Sequence, residues 1–330
     1  MKMGLLKIGI CLTIFVLAEV PSLILGQEKL AIPENVSARV AVAEASDWLL
    51  RHVKTGSLTT DNTENSISAI AWKDPTLNPE LPERLAGYLI TDTLWASYAL
   101  TLTHPKVAEE LRDSLERLNC LGNSLHEVVW QPIETIAHKP ADIDIVHGRS
   151  IGIISSGTNT IDLRSFTMIA DREFEIGHPS LFAEHSVYQS LYEFRLGNED
   201  SAKERLRTIF RNEGNVQQIY WERTNGLLVD YITEKEVNRL LAGETKTCRQ
   251  YSFKLASLLY ACRLLGLDRE YPKELEAIDQ RLQAAQISSG GIAHFFDVES
   301  SGNGVRACPD ATGEATAMFI LALTIRPRSE

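Results

Sequence analysis

The sequence predicts a mainly α-helical protein built from helical hairpins around an apolar ring, with a small β insertion around residues 126–180. Two observations support this fold class. Four segments are apolar on nearly every side, and a helix of that kind must be surrounded by protein or lipid. Three of the four are followed, after a short turn, by a strongly amphipathic segment. A buried helix paired repeatedly with a half-exposed one is typical of a ring or stack of hairpins.

The four apolar segments are too short to span a membrane, and polar residues at their beginnings shorten the apolar part further. They are Asp92–Leu102, Glu184–Leu196, Tyr251–Leu265 and Ala311–Thr324. The amphipathic partners of the first three are Pro105–Leu118, Ser201–Asn212 and Pro272–Ala285. The linkers between partners carry residues that end helices and form turns. Each pair is therefore expected to be an antiparallel helical hairpin.

The first helix of the mature chain is predicted over Ser37–Val53. Its apolar stripe consists of Ala38, Val42, Ala45, Leu49 and Val53. Because Ala311–Thr324 has no amphipathic partner after it, we expect this first helix to close the ring against it. No linker is rich enough in Pro, Gly or Ser to divide residues 27–330 into two domains.

The β insertion is indicated by runs rich in Ile, Val, Thr and Phe between residues 126 and 180, with Gly-Thr-Asn between two of them. Such runs on either side of turn residues predict a hairpin. A further short strand is predicted over Gly290–Phe296.

The N-terminus has the features of a secretory signal over residues 1–26. Two lysines precede the apolar run Ile8–Leu25, and a small residue, Gly26, follows it. The run is long enough to be an uncleaved membrane anchor instead, although Glu19 and Pro21 disfavour a spanning helix. Both alternatives place residues 27–330 outside the cytoplasm, either secreted or anchored. Asn35, in Asn-Val-Ser, is a candidate glycosylation site.

The charge and the cysteines restrict the partners and the covalent links. A formal charge of −11 without a basic stripe excludes nucleic acid as a partner and disfavours anionic membranes.

In an oxidising compartment an even number of cysteines invites pairing, and Cys120, Cys248, Cys262 and Cys308 remain after export. Cys248 and Cys262 lie about 21 Å apart along one predicted helix, so they cannot pair. We expect a Cys248–Cys308 disulfide and a buried free thiol at Cys262.

The C-terminal third contains a recognisable pattern. The segment CRQYSFKLASLL begins at Cys248; Gln-x-x-x-Gly-Gly follows at Gln286–Gly291, enters a short strand, and precedes DATGEATAMFILALT. This pattern resembles the α/α-toroid superfamily, which includes terpenoid cyclases, protein prenyltransferases and six-hairpin glycosidases. It is most similar to exported members of unknown activity, many of them archaeal. Over residues 182–324 the resemblance implies an α/α toroid, an incomplete barrel of helical hairpins.

The signatures of the active members of that superfamily are missing. The sequence has no Asp-x-Asp-Asp motif, no repeated Gln-Trp motif and no Gly-Cys-Gly-Glu-Gln thioester. A prenyltransferase zinc site needs Asp, Cys and His ligands. His294, Cys308 and Asp310 offer these types, but Cys-Pro-Asp departs from that enzyme's pattern. The prediction is therefore a protein with neither metal nor cofactor.

In a ring of helical hairpins, the buried helices run parallel and their N-termini gather at one mouth. Unpaired N–H groups and positive dipole ends attract anionic or hydroxyl-rich ligands there. The residues expected at these ends are Asp92, Trp95, Glu184, His185, Tyr188, Arg249, Tyr251, Asp310 and Glu314. A mixture of carboxylates and aromatic rings is typical of sugar-binding sites.

These residues have a catalytic and a structural interpretation. Glu314 as acid, with Asp92 or Glu184 as base, would suit an inverting glycosidase, which needs carboxyl groups roughly 6.5–9.5 Å apart. Trp95, His185, Tyr188, Arg249, Tyr251 and Asp310 would then bind the ligand. In the structural interpretation, Asp310 caps the last helix, Asp92 and Glu184 stabilise helix dipoles, and Arg249 pairs with Glu314.

The preferred prediction is a binding or scaffold domain outside the cytoplasm, with a glycan or an extracellular protein as partner. The alternative is a glycan-active enzyme, of the glycoside hydrolase or lyase kind, with an acidic site at the mouth. An open pocket between two facing carboxylates would favour the enzyme, whereas a mouth filled by side chains would favour the scaffold. A dry channel inside the ring would favour a third possibility, an enzyme acting on lipids or isoprenoids. The sequence leaves enzymatic activity open.

Overall fold

The structure is a computed structural model of the chain. It describes residues 30–60, 63–70, 90–117, 143–145, 149–156, 159–165, 168–170, 186–187, 190–191, 193–194, 197–211, 226–229, 233–299 and 304–326. Within these ranges the protein is mainly helical, as predicted, with small β-sheets beside the helices. No helix within the described ranges is long and apolar enough to cross a lipid bilayer.

Eight α-helices are present in the described part of the chain. They are α1 (Val36–His52), α2 (Ile90–Ala99), α3 (Pro105–Arg117), α4 (Glu199–Phe210), α5 (Glu234–Leu241), α6 (Ser252–Leu264), α7 (Pro272–Ala284) and α8 (Gly313–Thr324). Seven of these follow the predicted segments closely, and the short α5 was not predicted. The described residues of the predicted segment Glu184–Leu196 are helical.

Helix α8 lies at the centre of the described helices and contacts α1, α2 and α6. Its residues are buried on every side apart from Glu314 and Leu323, which are half-buried. The sequence prediction that such a helix is surrounded by protein is therefore confirmed. The predicted contact between the first helix and the last one is also confirmed.

The predicted hairpins α2–α3 and α6–α7 are present, and the helices of each pair are in contact. In α7 the apolar residues Leu275, Ile278 and Leu282 are buried, whereas Lys273 and Glu276 on the other side are exposed. One buried and one half-exposed helix therefore form each pair, because a single apolar stripe can cover only one neighbour.

The Gln-x-x-x-Gly-Gly segment forms a turn that packs against α1. Gln286 Nε2 donates hydrogen bonds to Ala41 O at 3.0 Å and to Gly290 O at 2.9 Å. Gly290 has φ +97°, and a Cβ atom on Gly291 would lie 2.6 Å from the Trp48 ring. Only glycine fits this positive φ and this close approach. This segment thus has a structural role in the turn between α7 and the strand that follows.

Nine strands form three sheets in the described residues. The strands are β1 (Val53–Thr60), β2 (Thr63–Ile70), β3 (Ile143–Ile145), β4 (Arg149–Ser156), β5 (Asn159–Ser165), β6 (Met168–Ala170), β7 (Thr247–Tyr251), β8 (Phe295–Glu299) and β9 (Val305–Ala307). The sheet orders are β2-β1-β4-β5, β3-β6 and β7-β8-β9. All paired neighbours are antiparallel.

The β insertion is confirmed by β3 to β6, whereas the hairpin β1–β2, which pairs with β4, was not predicted. The predicted strand Gly290–Phe296 was also placed too early. Gly290 and Gly291 form the turn, and Ile292 and Ala293 make only isolated bridges, so β8 begins at Phe295.

The candidate glycosylation residue, Asn35, caps α1, and its Oδ1 accepts a hydrogen bond from Ser37 N at 2.8 Å.

Candidate functional site

The N-termini of α2, α6 and α8 lie at one end of the helices, which we call the mouth. The Oδ2 atom of Asp92, in the first turn of α2, accepts a hydrogen bond from Glu314 N in α8 at 3.0 Å. Residues 292–294 connect the starts of α6 and α8. Ser252 N donates a hydrogen bond to His294 O at 3.1 Å, and Thr312 N donates one to Ile292 O at 3.2 Å. The three apolar helices therefore share one end, as the hairpin pattern predicts.

Helices α6 and α8 are parallel along their whole length. At the opposite end from the mouth, Arg263 Nη1 of α6 donates a hydrogen bond to Ala322 O of α8 at 2.8 Å. We call this opposite end the base. Because both helices point the same way, their positive dipole ends add at the mouth.

Asp92 has a structural position at the mouth. Its side chain is 0% exposed, and its carboxylate accepts a hydrogen bond from the first turn of α8. A Cβ atom on Gly313 would lie 2.7 Å from Asp92 Oδ2, so glycine at this position leaves room for the carboxylate. Asp310 was expected to cap α8, and this prediction is wrong: the N-cap residue is Thr312. Asp310 instead uses its backbone oxygen, which accepts a hydrogen bond from His294 N at 2.7 Å.

The space between α2 and α6 is filled by aromatic side chains. Trp95 is 2% exposed and Tyr260 is 1% exposed, and their ring centroids lie 6.5 Å apart in an edge-to-face arrangement. Tyr98 lies beside Trp95, at 6.3 Å between centroids. Trp95 therefore lies in the core and not on the surface of the mouth.

Strands β7 and β8 have one buried face and one half-exposed face, because successive side chains of a strand point to opposite sides. The buried face consists of Cys248, Gln250, Phe296 and Val298. The other face, which we call the open face, consists of Arg249, Tyr251, Phe295 and Asp297. Two of the candidate residues from the sequence, Arg249 and Tyr251, thus lie side by side on a sheet.

The residues of the open face pair across the two strands. Tyr251 lies directly opposite Phe295, and their ring centroids are 6.4 Å apart. Arg249 lies opposite Asp297, with 3.7 Å between Nε and Oδ1. The Arg249 guanidinium also lies over the Phe295 ring, 3.9 Å from its centroid, in a cation–π contact. Pairing of Arg249 with Glu314 was predicted, and the contacts with Asp297 and Phe295 show that this prediction is wrong.

Two further aromatic side chains extend the open face toward the mouth. The His294 and Phe253 rings are stacked, with centroids 6.2 Å apart, and Tyr251 meets His294 edge-to-face at 5.7 Å. All of these rings are half-buried. Tyr251, Phe253, His294 and Phe295 thus form one group of neighbouring rings. Lys254 is 1% exposed, and its Nζ lies 5.6 Å from the centroid of the Tyr251 ring.

Family models, curated proteins and solved structures provide no match to this chain. The roles of its residues must therefore follow from their contacts. The open face combines flat aromatic surfaces with a cation and a carboxylate in contact with each other. Such a surface can stack on an apolar ring face of a ligand while the charged pair binds hydroxyl groups.

Three residues of the open face and its surroundings were not among the candidates from the sequence: Phe253, Phe295 and Asp297. The residue types from Thr247 to Tyr251 do not alternate between polar and apolar, so the sequence contains no indication of β7. The candidates Glu184, His185 and Tyr188 lie outside the described residues.

The predicted disulfide between Cys248 and Cys308 is wrong, since both thiols are free and buried. Cys248 lies on β7 and Cys308 follows β9, so β8 lies between them. Two steps between neighbouring strands separate the backbones by about 10 Å, whereas a disulfide needs Cα atoms within about 7 Å. The prediction of a buried free thiol at Cys262 is confirmed. Cys120 lies outside the described residues.

Burial also sets the chemistry of these thiols. It raises the pKa of Cys248 to about 11, and Glu236 and Asp297 raise this pKa further against the opposing effect of the Gln250 hydrogen bond. Cys248 is therefore protonated at neutral pH.

In the described ranges no group of three or more His, Cys, Asp or Glu side chains could hold a metal ion.

Proposed function

We propose that the chain folds as an α/α toroid. In this arrangement α2, the helical segment within residues 184–196, α6 and α8 are the inner helices, and α3, α4 and α7 are the outer ones. Three features support it: α8 contacts both α2 and α6, these helices begin at a common mouth, and α3 and α7 pack outside their partners.

We propose further that the protein is an extracytoplasmic binding domain that holds glycans on the open face. One observation carries this proposal: Tyr251 and Phe295 lie directly opposite each other on a half-exposed strand pair, with the Arg249 guanidinium over one ring. Large aromatic side chains contribute most to stability when they are buried. Two of them side by side on a half-exposed surface, with ring planes inclined at 64°, offer aromatic surface to the C–H-rich face of a sugar ring.

The charged pair beside these rings supports a hydroxyl-rich ligand. Arg249 offers hydrogen-bond donors and Asp297 offers acceptors, at 3.7 Å from each other. Both side chains are partly exposed, at 41% and 33%. A sugar that stacks on Tyr251, beside the Phe295 ring face that the Arg249 guanidinium covers, would therefore bring its hydroxyl groups to both kinds of partner.

A glycan-hydrolysing role has less support than binding. A hydrolase needs two carboxyl groups that face each other across the bond to be cleaved. Asp92, the proposed base, is fully buried and accepts the hydrogen bond from Glu314 N. The space behind it is filled by Trp95 and Tyr260. The interior between α2 and α6 is therefore occupied by side chains, which supports binding or scaffolding over hydrolysis.

The test is a thermal-shift screen of the full chain against a panel of oligosaccharides, followed by titration of each hit. A ligand that binds only the folded state stabilises it, by about 2.7 kcal/mol at a hundredfold excess over Kd. Phe295→Ala should weaken binding about tenfold, equivalent to about 1.4 kcal/mol. Tyr271→Ala is the matched control, because Tyr271 is a half-buried ring stacked on Phe210, outside the open face.

Failure of every oligosaccharide to stabilise the chain would refute glycan binding. Equal affinity of Phe295→Ala and wild type would refute the open face as its location. If a bound oligosaccharide is also cleaved, and Glu314→Gln abolishes the cleavage, the enzyme alternative would replace the binding proposal.

A further inference from the structure

A row of apolar side chains is exposed at the start of the described chain. Ile32, Val36 and Val40 are 53%, 70% and 50% exposed, and they are called the basal row below. Their spacing of four residues places Val36 and Val40 on one face of α1, with Ile32 just before that helix. Leu241, 48% exposed, is the other large exposed apolar residue among those described. A cluster of three such side chains marks a surface that contacts something apolar.

The basal row lies at the end of the molecule opposite the mouth. Leu30 pairs with Ile325, and Ala31 N donates a hydrogen bond to Thr324 O at 2.8 Å. The chain therefore enters the fold where α8 ends. Since α8 has twelve residues, its length separates this base from the mouth by about 18 Å.

The direction of α1 confirms this placement. Its first residue, Val36, follows the segment fixed to the end of α8, whereas Trp48, near its last turn, packs against Gly291 beside the mouth. Helix α1 thus runs antiparallel to α8, with Val36 near the base. The basal row therefore lies where the preceding chain enters the fold.

The preceding chain carries the apolar run Ile8–Leu25, which ends seven residues before Ile32. Seven residues span at most about 25 Å even when fully extended. Any lipid bilayer that holds the run therefore lies within that distance of the basal row.

We propose that Ile8–Leu25 is retained as a membrane anchor and that the basal row rests in the interfacial layer of the lipid bilayer. Apolar side chains of a surface-lying helix enter that layer by about 5–10 Å. The mouth and the open face then point away from the membrane, toward the surrounding medium. This inference does not depend on glycan binding, because it uses none of the residues of the open face.

The net charge of the chain is compatible with this orientation. The overall charge is −11, but charges beyond about 8 Å are screened at physiological salt. Near the base, the exposed residues Arg39 and Arg326 are cationic, beside the acidic Glu34. The proposed contact is apolar and therefore needs no anionic lipid, so vesicles of phosphatidylcholine are the appropriate probe.

The test uses the full chain in phosphatidylcholine vesicles, with an environment-sensitive fluorophore on Val36→Cys. Leu241→Cys is the matched control, since Leu241 is similarly exposed but lies on α5, which packs against β7 near the mouth. Cys11→Ser and Cys120→Ser remove two thiols, and the remaining cysteines are buried. A fluorophore at 36 should show a blue-shifted emission and quenching by a lipid-attached quencher. A fluorophore at 241 should be quenched by aqueous iodide alone.

Three results would overturn the proposal. Equal iodide quenching at the two positions would show that the basal row faces water. A blue shift at position 36 that grows with the protein-to-lipid ratio, without lipid quenching, would assign the row to contact with a second copy of the chain. An N-terminus at or after residue 27 in the protein isolated from its host, measured by mass spectrometry, would show that the anchor is removed.

Discussion

The two faces of β7 and β8 belong to the same ten residues and yet differ in what they can do. One face is buried, with Phe296 and Val298 at 0% exposure, and it joins the core. The other face presents Tyr251 and Phe295 at half-exposure beside a charged pair. Alternation along a strand thus divides one short sheet into a face that stabilises the fold and a face that is available to a ligand.

Replacement of two adjacent phenylalanines gives the largest expected difference between these faces. Phe296→Ala should lower the free energy of unfolding by about 3–5 kcal/mol, because it leaves a cavity in the core. Phe295→Ala should cost less than about 1.5 kcal/mol, since its ring is half-exposed and contacts the Arg249 guanidinium and the half-buried Tyr251 and His294 rings. Urea denaturation followed by circular dichroism measures both. Equal losses would mean that the open face is packed like the core, which would remove the basis for a binding surface.

The same contrast applies to two acids at the mouth. Asp92→Ala should cost about 1–3 kcal/mol, because it removes the acceptor of the Glu314 N–H in a buried place. Asp310→Ala should change the free energy of unfolding by less than about 0.5 kcal/mol, because its hydrogen bond with His294 N uses the backbone oxygen, which alanine keeps. The measurement is again urea denaturation of each variant at one pH. A larger loss at Asp310 than at Asp92 would reverse the assigned roles.

The helices could be predicted from the sequence because apolar periodicity has few physical solutions. A segment such as Ala311–Thr324, apolar on every side, must lie inside the protein, and α8 does. The stripe of α7 likewise has one face to bury. The common mouth followed from the repetition of hairpins, and the contact between Asp92 and Glu314 agrees with it.

The sheets and half of the candidate site could not be predicted, because strand pairing depends on partners distant in sequence. The hairpin β1–β2 is rich in Ser and Thr, and its pairing with β4 reaches across about a hundred residues. Arg249 and Tyr251 were candidates from their position before a helix. Their partners Asp297 and Phe295 are defined only by the register of β7 against β8, which the sequence does not reveal.

The charged pair on the open face should have a small effect on stability. Asp297→Asn should cost less than about 1 kcal/mol, because the pair is partly exposed and screened by water. Asp279→Asn is the matched control: its carboxylate lies 2.6 Å from Arg263, with side-chain exposures of 16% and 22%. We expect a larger loss for Asp279→Asn, and a loss that 1 M salt reduces less. If Asp297→Asn costs as much as its control, the pair contributes to the fold and is not reserved for a ligand.

The smallest expected effect is that of reductant on the stability of the protein, which we expect to be zero because Cys248 on the buried face forms no disulfide. A disulfide between Cys248 and Cys308 would contribute about 2–5 kcal/mol, so reductant would destabilise the protein by that amount. Because β8 separates the two residues, we expect reductant to leave the urea midpoint of the wild type unchanged. Reductant should also leave the midpoint of Cys248→Ala unchanged, although that midpoint is lower than the wild-type one because a buried side chain is truncated. Non-reduced peptide mapping after alkylation in urea should find both thiols labelled, whereas labelling of the folded protein at neutral pH should leave the Cys248 thiol, with its pKa of about 11, unmodified. A linked peptide containing both cysteines would mean that β7 and β9 approach each other without β8 between them, and the open face would then lose its pairing of Tyr251 with Phe295.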